Sequence, residues 1–142
     1  MSTLQQAPPP DAEVVCSWVL ASTVELKGLR RSLNLALRNA DTAAGDHLGD
    51  VPERMVLVAT ELATNAIRHG LAPTEIRLLR TGELYVLDVA DHDVDTIPEP
   101  SEAQPQDSGG RGLALARSFA LDVGWYCTTT TKHVWASFTP DA

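Results

Sequence analysis

No stretch of the 142-residue sequence comes near the ~20 consecutive apolar residues of a membrane-crossing helix, so a helical membrane protein is not expected. Basic runs are missing too. Lys and Arg number 11 against 19 Asp and Glu, a formal charge of −8, which disfavours a protein built to grip a nucleic-acid backbone. Cysteine is scarce: Cys16 and Cys127 lie far apart, each in an apolar run and neither with a neighbour at metal-ligand spacing. Both are expected to be buried free thiols in strands. The opening "MSTLQQAPPPDAE" has neither a charged n-region nor an apolar h-region, so no signal peptide is expected and a reduced, cytoplasmic protein is.

What remains is a globular composition. Apolar residues make up 44%, enough for a core, and the length suits one domain. The acidic balance suits solubility, or a partner carrying a basic patch.

Residues 1–12, with three consecutive prolines, read as a flexible leader ahead of a domain over 13–139. "EVVCSWVLA" (13–21) is β-branched and aromatic and predicts a strand near a sheet edge. Ser22 or Thr23 can cap a helix in which Leu26, Leu29, Leu33 and Leu37 form the apolar stripe, with Lys27, Arg30, Arg31 and Arg38 off it. Residues 41–50 read as a loop. Asp50 caps the next helix, Pro52 fits its first turn, and Gly70 stops it after His69. Residues 74–91 predict two strands joined at Thr81-Gly82, and 92–109 a long irregular loop of the kind often tied to function. A helix from the glycine-rich "GRGLALARSFA" and two closing strands complete the chain. Tight turns between consecutive strands imply an α+β sandwich, a mostly antiparallel sheet with helices on one face.

The segment "ATELATNAIRHG" (59–70) poses the functional question. At about 100° per residue, Glu61, Asn65 and Arg68 share a wedge of roughly 60°, with His69 at its edge. Met55, Val56, Ala59, Leu62, Ala63, Ala66 and Ile67 cover the opposite arc. On periodicity alone the polar row is the solvated face of an amphipathic helix. Chemistry offers a second reading. A carboxylate can take a hydroxyl proton, an amide oxygen one turn on can enter a Mg²⁺ shell without adding charge, and a cation beyond it can meet phosphate.

Two further features bear on the choice. "SGGRGLALA" (108–116) sets Gly109, Gly110 and Gly112 at a helix start, where close backbone approach and amide N–H groups suit an anion and Arg111 adds charge. It matches neither a P-loop nor a Rossmann fingerprint, and a plain hinge is an equal reading. Asp91 ends the strand "LYVLDVAD", where a carboxylate can accept from an exocyclic amine such as adenine's, or can merely be solvated.

In this order, "ELATNAIRHG", a strand ending in Asp91, a loop and "GGRGLALA" resemble the N-box and two glycine-boxes of the gyrase and histidine-kinase-like (GHKL) ATP-binding superfamily. The chain from 13 to 139, with its ending "KHVWASF", is similar to the anti-sigma-factor serine/threonine kinases of the actinobacterial style. That resemblance implies a Bergerat-type two-layer fold, with ATP under a lid formed by about 92–109. Glu61 would be the general base on a partner's serine or threonine. Asn65 would bind Mg²⁺, and Arg68 and His69 would lie near the phosphates. Asp91 would take the adenine amine, and Gly109, Gly110, Arg111, Gly112 and Leu113 would contribute to ATP binding. The implied partners are a STAS-type anti-anti-sigma protein, a sigma factor and a second copy of the chain, through the first strand and first helix. Two positions depart from the pattern. Asp93 replaces a glycine, and His133 stands where a threonine usually precedes Val-Trp, which is expected to alter an adenine-side hydrogen bond. Those departures motivate a second reading, a partner-binding module of the same fold with little kinase activity.

Overall fold

The computed structural model describes residues 5–6, 9, 12–44, 51–81, 84–95 and 119–139, with the backbone alone for residue 5 and residues 39–44. The glycine-rich segment and most of the 92–109 loop lie outside them. In chain order the elements are β1 (Gln5–Gln6), β2 (Glu13–Leu20), a 3₁₀ turn (Thr23–Glu25), α1 (Leu26–Ala44), α2 (Val51–His69), β3 (Thr74–Arg80), β4 (Tyr85–Asp91), β5 (Asp122–Cys127) and β6 (Lys132–Phe138).

The strands form one sheet in the order β1-β5-β6-β4-β3-β2, antiparallel throughout except for β1, which pairs in parallel with β5. The architecture is α+β, with α2 laid across β3, β4 and β6, and α1 set against α2 and β2. The Glu13–Leu20 strand is at the edge, as expected. Gln5–Gln6 falls in the stretch read as a leader and adds a short strand at the other edge.

Both helices bury the faces their periodicity marks. Leu26, Leu29, Leu33 and Leu37 are buried, and so are Met55, Val58, Ala59, Leu62, Ala63 and Ala66. They close on Ile76, Leu78, Tyr85, Leu87, Val89 and Ala136 in the principal core. β4 is buried along its whole length, which explains its near-continuous apolar sequence. Leu79, Val86 and Trp135 form a smaller cluster on the opposite face.

Three local expectations are corrected. The first helix opens in a 3₁₀ turn and is capped otherwise than expected: the Ser22 side chain makes no cap bond, while Glu25 Oε1 accepts from the Ala21 N–H at 2.9 Å. The helix also runs on through Ala44 into the stretch read as a loop, in keeping with the helix propensity of alanine. Cys16 is half-buried and Cys127 exposed, so both are free thiols in strands but neither is a core residue.

α2 matches the sequence signals that fall within the described residues, while Asp50, expected as its cap, lies outside them. Pro52 and Glu53 lie in the first turn, and Arg68 and His69 in the last, where acid and base complement the helix dipole. Gly70 N–H donates to the Ala66 carbonyl at 2.9 Å and closes the helix.

Candidate functional site

α2 and β4 deliver the polar residues to one end of the sheet. Glu61 and Asn65 are half-buried on α2, one turn apart, and Arg68 and His69 follow as exposed residues. Thr60 and Thr64 are turned back on the helix, their hydroxyls donating to the Val56 and Thr60 carbonyls at 2.7 Å each. The row available for chemistry is therefore the Glu61–Asn65 row, whose Asn65 Oδ1 is a buried acceptor oxygen.

Where α2 ends, the chain is pressed against Asp91. A Cβ built on Gly70 would collide with the Asp91 carboxylate and come within 2.7 Å of the Ala66 carbonyl oxygen. Glycine is required here by space. The following loop is tied to the end of β4, since His92 N–H donates to the Leu71 carbonyl at 3.0 Å and His92 Nδ1 lies 3.2 Å from the Pro73 carbonyl oxygen. These contacts bring the end of the "ATELATNAIRHG" helix and the strand-ending aspartate to a single place.

Asp91 is only 4% exposed. Its Oδ1 accepts from the Asp93 N–H at 2.7 Å, and its Oδ2 lies 3.8 Å from Lys132 Nζ. The Asp93 Oδ1 in turn accepts from the Asp95 N–H at 3.2 Å, so that oxygen serves its own turn. Burial pushes the Asp91 carboxyl above the ordinary aspartate pKa, against the opposing pulls of the Asp93 N–H and the Lys132 charge.

That direction fixes a pH dependence. A folded pKa above the unfolded one means the folded state holds the proton more tightly. The group's stabilising contribution is then complete at low pH and is lost as pH rises from about 3.9 through the raised value. Urea unfolding of the wild type and Asp91→Asn across that window is expected to show the wild type's relative stability falling with pH. A rise would contradict the burial argument.

Two residues of this cluster escaped the sequence reading. Lys132 pairs with Asp91 across β4 and β6 and shares its sheet face with Val134, Ala136 and Phe138. A lysine in the apolar phase of a buried strand was the available signal, and it needed the strand register to be read. Thr74 stands one step beyond the Glu75–Ala90 pair, beside Asp91. It is fully buried, and its hydroxyl has no hydrogen-bond partner among the described residues. Such a buried polar atom at a strand end fits a floor that meets a polar ligand.

His133 does not belong to this cluster. It lies on the opposite sheet face, stacked on Tyr126 with ring centroids 4.4 Å apart. Its Nδ1 is 2.9 Å from Asp88 Oδ2, and its Nε2 is 2.9 Å from Thr131 Oγ1. Arg77 completes that network with a 2.6 Å contact to the fully buried Asp88. The expectation that His133 alters an adenine-side contact is therefore displaced: side chains alternate along a strand, and the residue facing Asp91 is Lys132.

Gly109, Gly110, Arg111, Gly112 and Leu113 lie outside the described residues, so their expected placement beside Asp91 does too. Among the described residues no group of three or more His, Cys, Asp or Glu is arranged to hold a metal ion. No helix among them is long and apolar enough to cross a membrane. A cleft of about 540 Å³ between α1 and α2, lined by Arg30, Arg31, Asn34, Arg38, Glu53 and Val56, shares no residue with the Asp91 cluster.

The sequence profile described as Histidine kinase-like ATPase domain matches residues 20–138, from the end of β2 to the end of β6. No curated protein matches the chain.

Proposed function

Because the chain belongs to the histidine kinase-like ATPase domain family, we propose that it is an ATP-dependent serine/threonine protein kinase acting as an anti-sigma factor, with a STAS-type anti-anti-sigma protein as its substrate. The observation that carries the site is the closure of α2 on Asp91 at Gly70, which joins the Glu61–Asn65 helix to a buried carboxylate suited to an exocyclic amine.

The residues present fit a magnesium-nucleotide. Asn65 offers an uncharged amide oxygen to the metal, and a metal held by one such ligand and by phosphates needs no protein carboxylate cluster. Asp91 accepts from the base, Thr74 lies beside it, and Arg68 and His69 stand at the helix end where phosphates would be met. ATP supplies the phosphoryl group, and Mg²⁺ neutralises the charge of its phosphates. Glu61 takes the proton of the acceptor serine or threonine hydroxyl, and the helix that carries it fixes its position relative to Asn65.

The sigma factor is the second partner in this reading, and the net charge of −8 suits a basic segment on it. A second copy of the chain would meet α1 and the edge strand β2, which among the described residues pairs with β3 on one side only and exposes Val14, Val15 and Val19. The setting is the cytoplasm, where ATP and a reduced state for Cys16 and Cys127 are supplied.

The partner-binding module with little kinase activity stays as the second reading, favoured by the carboxylate at Asp93. Transfer of radiolabelled phosphate from ATP to a candidate STAS protein tests the choice. Labelling of a serine or threonine supports the kinase. A tight complex without labelling leaves the binding module.

A further inference from the structure

On the sheet face away from the α2–Asp91 cluster, both ring nitrogens of His133 have a partner. Its Nδ1 lies 2.9 Å from Asp88 Oδ2, and its Nε2 lies 2.9 Å from Thr131 Oγ1. Asp88 is fully buried and paired with the Arg77 guanidinium at 2.6 Å, so it only accepts and Nδ1 carries the proton between them. In the neutral ring Nε2 is then the acceptor, and the Thr131 hydroxyl donates to it. Tyr126, stacked on the imidazole at an interplanar angle of 10°, holds the plane of the ring. A hydroxyl, an imidazole and a buried carboxylate in this order are the parts that activate a weak nucleophile. The turn between β5 and β6 is already closed without them, because Thr128 Oγ1 accepts from the Thr130 and Thr131 N–H groups at 3.2 and 3.0 Å. The Thr128 and Thr131 hydroxyls are 2.6 Å apart. With the Thr131 proton directed at His133, Thr128 is the donor of that bond, and one lone pair on Thr131 Oγ1 is left for attack.

We infer that Thr131 is a covalent acylation site, whose hydroxyl takes the acyl group of a small activated ester with His133 as its general base. Thr131 is half-buried and residues 127–130 of the turn before it are exposed, so a small donor can approach. The cation of the network, Arg77, is spent on Asp88, which favours a neutral acyl donor over a charged phosphoryl one. Thr131 Oγ1 attacks the ester carbonyl carbon while its proton passes to His133 Nε2. The bond from that carbon to the leaving oxygen then breaks, and the departing oxygen takes the proton from Nε2. An acyl ester of Thr131 and a free alcohol result. No step draws on ATP, so the inference stands apart from the nucleotide site.

The probe is p-nitrophenyl acetate, reacted with the wild type, Thr131→Ser and His133→Asn, with acetyl groups located by fragmentation mass spectrometry after an acid quench. Thr128, Thr129 and Thr130 lie in the same turn, are more exposed than Thr131, and serve as internal controls. The wild type is expected to carry acetyl on Thr131 in about 10²-fold excess over each of them, the lower end of what a positioned base contributes. Thr131→Ser should keep that preference. His133→Asn keeps a side-chain N–H for Asp88 but has no Nε2, and should lose it. Because the four threonines are compared within the wild type, a misfolded variant leaves the test decisive. Acetyl spread evenly over them, or absent from all, overturns the inference. Acetyl held on His133 instead would make the imidazole the nucleophile and overturn it as well, as would an unchanged preference in folded His133→Asn.

Discussion

Glu61→Ala is expected to slow phosphoryl transfer to the STAS-type substrate by about 10²- to 10⁴-fold, the range over which a positioned general base acts. ATP affinity should be unchanged, because Glu61 is assigned to the acceptor hydroxyl and Asn65, Arg68, His69 and Asp91 to the nucleotide. Glu61 is half-buried on the face of α2 away from its packed arc, so removing its carboxylate leaves no core cavity and the fold should persist. Single-turnover labelling beside nucleotide titration separates the two effects. A variant that transfers at the wild-type rate would send the proton elsewhere and remove the reason for placing a glutamate in the row. A variant that loses ATP affinity would assign Glu61 to the nucleotide.

Gly70→Val is the second large effect. Its side chain would start from a Cβ that already collides with the Asp91 carboxylate and the Ala66 carbonyl, so either the helix end or the aspartate must move. Overpacking of this kind costs about 1–3 kcal/mol of stability. Because Asp91 meets that Cβ with a side-chain end and Ala66 with helix backbone, Asp91 is expected to move, and its displacement should weaken ATP binding on the order of 10- to 100-fold, the same energy read as affinity. Thermal unfolding and nucleotide titration of the variant check both. Unchanged affinity in a folded Gly70→Val protein would mean that Asp91 is not where the base is held.

These residues show how far the sequence could be read. α2 was legible because its signals are local: Pro52 and Glu53 in the first turn, Arg68 and His69 in the last, and apolar spacing between. Asp91 was legible because its strand stops there. Gly70 was correctly placed as the helix stop, but its need for space beside Asp91 is a contact between residues 21 positions apart, and periodicity does not carry that. Lys132 and Thr74 depend on which strands pair and in what register, which is settled by the assembled sheet. The side that His133 faces was hidden for the same reason: one step along β6 exchanges the two faces, and the buried Asp88–Arg77 pair holds it on the side away from Asp91. The α1 extension reflects the helix propensity of Ala43 and Ala44, and the exposure of Cys127 its place at the end of β5.

Binding of ATP to the purified chain, titrated calorimetrically with and without Mg²⁺ for the wild type and Asn65→Ala, addresses the central claim most directly. The account predicts saturable binding to one site, tightened by Mg²⁺ in the wild type, with that gain missing in Asn65→Ala because its amide oxygen is gone. Absence of any binding heat at millimolar ATP, with the protein folded, would contradict it.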